Sequence, residues 1–407
     1  MKTALQVIRT SAVILMCGAL ALISSMSAFG QSFGRVIPET ALRMWPSNGS
    51  ILASVSTIKV ARAAIAEKKE RPTVIPQAAV LLARRAIVIE PTAVSAVRNI
   101  AYDLKDKGDI SRARALMLAA SRLSKRNTGV NLWLTEDFAR QGREIEALRY
   151  YDVIMRSSSA AATALLPVMA RVLRSPGAVA PFETLLADNP PWHDDFWTAV
   201  LSADDDLVNS VELRLRLHSA KVPLAASHDA LLIRRMAEEG RLSDAFKLYT
   251  TAGGILPTVT GELIRNESFG RPTKFSPIDW KVVTDGAFGA MIDEQSGQLS
   301  ISSLPDVGGV VAQQLIRIEK GLYRLTVEYS DPSATQENPL LARLVCAELS
   351  GEKTLSRIFR IGQAGSQSVQ LETPCSFAWL SIELDADRNT GGVDTKLSRI
   401  SLRRETR

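Results

Sequence analysis

A short motif occurs three times and constrains the architecture of more than half of the chain. It consists of a Gly, a polar turn and an Ala five residues after the Gly, at Gly108/Ala113, Gly142/Ala147 and Gly240/Ala245. The first two copies, and Ala79 before them, follow one another with a period of about 34 residues. Each Gly allows a turn that ends one helix, and each small Ala allows the next helix to approach its neighbour closely. Helix pairs that recur with this period predict an α-solenoid.

The apolar pattern around the motif repeats with the same period. One apolar position, nine residues before the Ala, is filled in all three copies by Leu104, Phe138 and Met236. With this pattern the chain resembles tetratricopeptide repeat proteins over residues 60–160 and 226–252. Asn131 and Asp229 depart from that family, which favours a bulky apolar residue there. We expect two degenerate repeats between Ala147 and Ala245, and an irregular helical bundle is the alternative.

The first thirty residues have the pattern of an export segment. Lys2 and Arg9 are followed by a stretch without charge from residue 11 to residue 30, and Ala28-Phe29-Gly30 fits a cleavage site. An uncharged stretch of this length could also remain as a membrane anchor. In either case the rest of the chain is predicted to be exported and to face the periplasm, because the positive residues stay on the cytoplasmic side.

After Gly253 and Gly254 the helical pattern gives way to period-two alternation. Alternating apolar residues occur at Leu299 and Ile301, at Tyr323, Leu325, Val327 and Tyr329, at Leu380, Ile382 and Leu384, and at Ile400 and Leu402. Short alternating strands separated by turn residues predict an antiparallel β-sandwich. The predicted fold is therefore multidomain, with α-helical repeats first and a β-sandwich second. We expect an export segment at residues 1–30, the helical domain at 31–254 and the sandwich at 255–407.

The β-region resembles the jelly roll of galactose-binding-like, carbohydrate-binding modules over residues 260–405. The likeness rests on the segments Leu263–Phe269, Phe275–Trp280 and Gly321–Leu325. It implies sugar binding through exposed aromatic rings, and many such modules carry a structural calcium ion. Leu380, Ile382 and Leu384 define one face of a strand, so Phe377 and Trp379 should lie on the other. These two rings are our candidates for stacking on a ligand, and a Trp covered by a loop or by the solenoid is the alternative.

Cys346 and Cys375 are the only cysteines outside the export segment. An even pair in an exported domain predicts a disulfide, because the periplasm is oxidising. The Cα atoms must then lie within about 7 Å of each other. Two buried free thiols are the alternative.

Charge and motifs narrow the range of functions. The formal net charge is +6 for the whole chain, and the excess lies in residues 1–254, which carry +8. This excess could favour an acidic partner such as an anionic polysaccharide or lipid head groups, or be a solvated surface. A loop followed by the start of a helix is the preferred explanation of His193, Asp194 and Asp195, and a metal or catalytic site is the alternative. No nucleic-acid, phosphate-binding, zinc-binding or nucleophile motif is present, and we predict no cofactor.

The layout of export segment, helical repeats and terminal jelly roll resembles uncharacterised envelope proteins of alphaproteobacteria. That likeness implies an envelope location and no activity. We expect a non-catalytic envelope scaffold that binds protein partners through its solenoid. A polysaccharide-binding protein in surface-polymer assembly or export is one alternative. A glycan hydrolase or lyase is another, because any two carboxylates could meet in the folded chain.

Overall fold

The structure, a computed structural model, describes most of the 407-residue chain. The described residues are 13–25, 28, 37–69, 71–203, 207–256, 262–330, 339–348, 356–371 and 375–405. Within them the chain forms 14 α-helices up to Thr251 and ten strands from Lys281 onward. The predicted order of a helical region followed by an antiparallel β-sandwich is therefore confirmed. Lys2, Arg9, Phe29 and Gly30 of the predicted export segment lie outside the described residues.

Helices account for most of the described chain before residue 252. They are α1 (Val13–Ser25), α2 (Pro38–Met44), α3 (Gly49–Ala66), α4 (Gln77–Ile89), α5 (Val94–Asp106), α6 (Ile110–Leu123), α7 (Thr128–Arg140), α8 (Glu144–Ser157), α9 (Ser159–Leu173), α10 (Val179–Leu186), α11 (His193–Ser202), α12 (Val208–Ser219), α13 (Ala226–Glu238) and α14 (Leu242–Thr251). Among the described helices only α3 is long and apolar enough to cross a membrane, and 44% of that span is buried within the protein. A core helix passes the same test, so α3 is weak evidence for a membrane span.

Three helix pairs share one register. Their first helices, α5, α7 and α13, all begin at the same sequence distance before the motif alanine, and so do their second helices, α6, α8 and α14. The three glycines between them have φ angles of 87°, 69° and 74°, at Gly108, Gly142 and Gly240. Each φ lies in the left-handed region that glycine adopts without steric cost, which explains why glycine recurs at this turn.

The motif alanines are buried between packed helices. Ala79, Ala113 and Ala245 are completely buried and Ala147 is 5% exposed. The helices α3 and α4, α5 and α6, α7 and α8, and α13 and α14 pack against each other in pairs. A larger side chain would separate the two helices or distort their packing, because protein interiors are close-packed.

Two further helix pairs, α9/α10 and α11/α12, occupy the interval where degenerate repeats were expected. Pro167 lies inside α9, and α10 has only 8 residues. Here equivalent helices of successive pairs pack together, α10 with α12, α12 with α14, and α11 with α13. A proline inside a helix removes a backbone hydrogen bond and disturbs the turn before it. This explains why the sequence period is blurred although the helices persist.

One buried position shows how the repeats depart from a common pattern. Val97, Asn131 and Asp229 are each the fourth residue of the first helix of a pair. Asn131 is fully buried, and its side chain accepts a 2.8 Å hydrogen bond from Ser121 and donates one to the carbonyl of Lys125. Asp229 is buried in a two-bond ion pair with Arg214, at 2.6 and 2.8 Å. A buried polar group is tolerated in each place because it is hydrogen-bonded.

The strands form two five-stranded antiparallel sheets. They are β1 (Lys281–Val282), β2 (Phe288–Asp293), β3 (Gln298–Ser303), β4 (Gly309–Arg317), β5 (Gly321–Tyr329), β6 (Leu340–Cys346), β7 (Ser356–Arg360), β8 (Gly365–Leu371), β9 (Phe377–Leu384) and β10 (Val393–Arg404). One sheet has the order β2-β3-β10-β5-β8 and the other β1-β4-β9-β6-β7. The side chains between the sheets form one core, which includes the alternating residues that the sequence singled out, such as Leu299, Ile301, Leu380 and Ile382. We call the sheet of β1, β4, β9, β6 and β7 the second sheet.

The chain divides into two compact units. Unit 1 comprises residues 1–168 and 190–192, and unit 2 comprises residues 169–189 and 193–407. The division falls within α9, whereas the change from helix to strand falls after Thr251. The helices α10 to α14 therefore belong to the same compact unit as the sandwich.

Candidate functional site

Unit 1 carries a cluster of cationic side chains around one tyrosine, which we call the cationic face. It consists of Arg71, Arg98, Tyr102, Lys105 and Arg140. Arg98, Tyr102 and Lys105 follow each other on α5 at intervals of four and three residues, so they emerge on one side of that helix. The Tyr102 hydroxyl donates a 3.4 Å hydrogen bond to the carbonyl of Gly129 in the first turn of α7. The face therefore spans α5 and α7.

Cations outnumber carboxylates in this cluster. The Arg71 guanidinium lies 4.9 Å from the centre of the Tyr102 ring and 3.4 Å from the Asp106 carboxylate. Arg140 is paired with Glu136 at 3.8 Å. Burial lowers the pKa of the Lys105 amine, and repulsion from Arg71 and Arg140 lowers it further. An anionic group placed here would relieve that repulsion.

Arg98 has an incomplete set of partners. Its guanidinium makes one long hydrogen bond, 3.4 Å to the Asn99 side chain, and within the described residues its buried Nε has no partner. Burial also lowers the pKa of Arg98. A side chain at position 129 would approach the Arg98 guanidinium to 3.1 Å, so Gly129 leaves room beside it. An arginine can bind a carboxylate through two parallel hydrogen bonds, which makes Arg98 a candidate for anion binding.

Unit 2 contains a second arginine–aromatic cluster. We call it the closed cluster, because its arginine is buried within the protein. Arg265 is 6% exposed. Its guanidinium lies 5.3 Å from the ring centres of both Phe246 and Tyr249 on α14. It also donates to the carbonyls of Ile278 and Leu315, at 2.7 and 2.5 Å. This arginine joins α14 to the second sheet and to the segment before β1.

A carboxylate completes the closed cluster. Asp279 accepts a 2.9 Å hydrogen bond from the Tyr249 hydroxyl and two more from the backbone amides of Lys274 and Phe275. Burial raises the pKa of Tyr249, and the Asp279 charge raises it further. Burial lowers the pKa of Arg265 to about 10, so the guanidinium stays charged at neutral pH. The groups satisfy one another, and the cluster is a structural joint.

The two candidate stacking residues, Phe377 and Trp379, have different environments. Both lie on the side of β9 that faces away from the sandwich core, opposite Leu380 and Ile382. Phe377 is 7% exposed, and its ring packs 5.2 Å from that of Phe246 on α14. It is therefore covered by a helix and closed to a sugar in this structure. Trp379 is partly exposed and remains a candidate for stacking on a ligand.

Two surface cavities adjoin the sandwich. The first, of about 610 Å³, is lined by residues of both signs of charge, including Glu262, Arg265, Glu267, Arg271, Asp279 and Arg403. Its carboxylates are engaged, because Glu262 pairs with Arg403 and Glu267 with Arg399, both at 2.8 Å. The second, of about 810 Å³, lies over β2 and β3 and combines hydroxyl groups with apolar side chains, such as Ser300, Ser302, Thr284 and Met291.

His193 has a structural environment. It is 4% exposed, its Nδ1 lies 2.8 Å from the Asn189 side-chain oxygen, and its Nε2 accepts a 2.9 Å hydrogen bond from the Trp197 indole. Both ring nitrogens are therefore occupied. Asp194 lies 4.0 Å from His228 and is largely exposed to solvent. The histidine and the aspartates thus form the start of a helix, which is the structural interpretation of this segment.

Cys346 and Cys375 are joined by a disulfide, with their Cα atoms 6.0 Å apart. Glu348 lies beside them, and in the described part of the chain this trio is the one group whose Cys, His, Asp or Glu atoms are close enough to share a metal ion. Two of its members are consumed by the disulfide, so it is no thiolate site. A calcium ion in the β-region remains a prediction.

Neither arginine cluster was predicted from the sequence. The spacing of Arg98, Tyr102 and Lys105 on one helix side was visible in the sequence and could have revealed the cationic face. Arg265 gave no such signal, because its partners Phe246 and Leu315 lie far from it in the chain. No protein-family model matches this sequence, and no curated protein is significantly similar to it.

Proposed function

We propose that the protein is a non-catalytic scaffold of the cell envelope that binds an acidic segment of a partner protein at its cationic face. The observation that carries this proposal is Arg98, a half-buried guanidinium with an unpartnered Nε among the described residues, on the same side of α5 as Lys105. Arg265, by contrast, donates to two backbone carbonyls and lies over two aromatic rings. An incompletely paired cation on a packed helix face is instead suited to an external anion.

The location is part of the same proposal. The apolar helix α1 and the positive residues before it support export, with the folded chain anchored in the inner membrane or free in the periplasm. The Cys346–Cys375 disulfide supports an oxidising compartment. The likeness to tetratricopeptide repeat proteins supports partner binding by the helical region.

Site-specific photo-crosslinking tests the scaffold proposal. A photoreactive amino acid at Leu132, 39% exposed on α7, is compared with one at Leu123, 50% exposed at the end of α6 and outside the cationic face. We expect position 132 to capture a discrete envelope protein in cells and position 123 to capture none. Equal capture at both positions, or none at position 132, would contradict the proposal.

A second function, polysaccharide binding by the sandwich, is favoured by the cavity over β2 and β3. Hydroxyl groups beside an apolar floor suit a sugar, which offers both hydroxyls and C–H faces. Calorimetric titration with neutral and anionic oligosaccharides tests it. We expect glycan binding that Ser300→Val weakens if the cavity over β2 and β3 takes part, and that Trp379→Ala weakens if the outer side of β9 takes part. Absence of heat with every glycan would rule the sandwich out as a glycan-binding module.

A further inference from the structure

The solvent-facing side of α4 carries large exposed aliphatic side chains together with two arginines. It presents Leu81, Arg84, Arg85, Val88 and Ile89, which we call the α4 outer face. Leu81 is 59%, Val88 82% and Ile89 43% exposed. Large aliphatic side chains this exposed, in one group, mark an interaction surface more often than isolated ones do.

Helix geometry places these residues together. At about 100° per residue the five side chains fall within about two fifths of the helix circumference. The opposite side holds the residues that pack into unit 1, which are Ala79, Val80, Ala83 and Ala86, all completely buried. One side of α4 is thus buried by packing into unit 1. The α4 outer face is a second surface of the same helix, and it carries both aliphatic and charged side chains.

The charge of the α4 outer face is entirely positive. The helix from Gln77 to Ile89 contains no Asp or Glu. Arg84 and Arg85 are exposed, and neither forms an ion pair with any other residue that the structure describes. The face thus offers aliphatic groups and two free guanidinium groups side by side.

The next repeat lacks this combination. One period after Leu81, Arg85 and Val88, the equivalent positions on α6 hold Ala115, Ala119 and Arg122. At the positions equivalent to the α4 outer face, α6 therefore exposes one large aliphatic side chain, Leu123 at 50%, where α4 exposes three. On α8 the exposed Arg156 is paired with Asp152 at 2.7 Å. The helix fold alone does not require an aliphatic and cationic outer face.

Several occupants can be compared by their chemistry. A second copy of the same face would set Arg84 and Arg85 against their equivalents with no carboxylate between them. A glycan would find no aromatic ring to stack on. A bilayer with anionic lipids supplies phosphate groups for the guanidinium groups and acyl chains for Leu81, Val88 and Ile89.

We propose that the α4 outer face rests on an anionic lipid bilayer. The chain also holds an apolar helix, α1, that ends at Ser25, a short way in sequence before α2 begins at Pro38. If α1 stays in the membrane, the first repeats are tethered close to the lipid surface. This inference goes beyond the scaffold function, because it assigns a lipid surface to a helix that the cationic face does not include.

Fluorescence of a single reporter tests the lipid contact. The full chain carrying Cys17→Ala and Val88→Cys is labelled with the dye NBD and reconstituted in vesicles of one part phosphatidylglycerol to three parts phosphatidylcholine. The matched control carries Arg122→Cys, the equivalent position on α6. We expect the dye at position 88 to emit at shorter wavelength and to be quenched by doxyl-labelled lipid, while the dye at position 122 stays accessible to aqueous iodide.

Charge removal supplies the second arm of the experiment. Each arginine near an anionic surface contributes a free energy equivalent to about fivefold, so Arg84→Gln with Arg85→Gln should lower the ratio of lipid-protected to water-exposed dye by about 30-fold. The control Arg112→Gln with Arg122→Gln on α6 should leave the position 88 signal unchanged.

Three results would overturn the lipid contact. Equal quenching at positions 88 and 122 would show no preference for this face. Equal protection at position 88 in pure phosphatidylcholine vesicles would show that anionic lipid is not recognised. Protection of position 88 in detergent solution without vesicles would show that another protein surface covers the α4 outer face.

Discussion

Arg71 in unit 1 and Arg265 in unit 2 each hold a guanidinium over a tyrosine ring, but their surroundings differ. Arg265 is buried, lies over two rings and donates to two backbone carbonyls. The side chain of Arg71 is 31% exposed, and its neighbour Arg98 has a buried Nε without a partner in the described structure. The same pair of residue types thus forms a joint in one unit and an open surface in the other.

The difference shows how to separate structural from binding arginines. A guanidinium has five N–H donors, and a structural role is supported where the protein supplies partners for those that are buried. Arg265 meets this condition through Ile278, Leu315 and the rings of α14. The cationic face does not, and cations such as Lys105 there repel one another. The comparison predicts large stability effects in the closed cluster and large binding effects in the open one.

The largest effect is expected from Arg265→Met. The change leaves two buried carbonyls without donors and an uncompensated Asp279, so unit 2 should lose about 3–5 kcal/mol of unfolding free energy. Arg71→Met is the matched control and should cost less than about 1 kcal/mol, because its ion pair is partly exposed. Denaturant titration followed by hydrogen exchange in each unit measures both. Equal losses of unfolding free energy in the two variants would show that both clusters stabilise the fold to the same extent.

The second largest loss of stability is expected when the disulfide is removed. It links residues 29 positions apart, so Cys346→Ser with Cys375→Ser should destabilise the sandwich by about 3–4 kcal/mol. The loss should be confined to unit 2, where Cys375 lies two residues before the ring of Phe377 that contacts α14. Cys17→Ser, in the exposed helix α1, is the control and should change nothing. Faster hydrogen exchange in unit 1 as well would argue against this assignment.

Acid should affect unit 2 more than unit 1, because unit 2 contains His193, a buried histidine with a shifted pKa. Burial lowers the pKa of His193 below its ordinary value of about 6.5, and Arg214 lowers it further. The folded state then excludes a proton that the unfolded state accepts. Stability from this group is complete above about pH 6.5 and declines as pH falls, by at most about 1.4 kcal/mol per pH unit.

Thermal unfolding between pH 7 and pH 5, with and without His193→Gln, measures this slope. The substitution should flatten the pH dependence of unit 2 and leave that of unit 1 unchanged. An unaltered slope in the variant would show that His193 does not carry the dependence.

The smallest stability effect is expected from Arg98→Gln with Lys105→Gln. Removing Arg98, which has few partners, and Lys105, which Arg71 and Arg140 repel, should change the unfolding free energy by less than about 1 kcal/mol in either direction. Circular dichroism during urea titration measures it. A loss comparable to that of Arg265→Met would mean that the cationic face is needed for folding, and the contrast between the two clusters would disappear.

The repeat architecture was predictable from the sequence because it depends on local rules. The left-handed turn needs Gly108, Gly142 and Gly240, and the close helix contact needs a small residue such as Ala113. Asn131 and Asp229 looked like departures from the pattern. Their partners, Ser121 and Arg214, are in neighbouring helices, and the sequence alone does not identify such pairs.

The candidate site was predictable only in part. Alternation correctly placed Phe377 and Trp379 on the side of β9 away from the core. It could not indicate that α14 covers Phe377 through Phe246, because which element covers a sheet face is decided by tertiary packing. The unpaired state of Arg98 was equally invisible, since it is a property of all the surrounding side chains.

Peptide binding tests whether the cationic face, and not the aromatic side of the sandwich, is the recognition surface. Fluorescence anisotropy with a labelled ten-residue glutamate-rich peptide compares the full chain with Arg98→Gln/Lys105→Gln and with Trp379→Ala, and a glutamine-for-glutamate peptide is the control probe. We expect the full chain to bind the glutamate-rich peptide, the double substitution to weaken this binding at least about tenfold, Trp379→Ala to leave it unchanged, and the control peptide not to bind. Binding weakened by Trp379→Ala and unaffected by the double substitution would contradict this expectation.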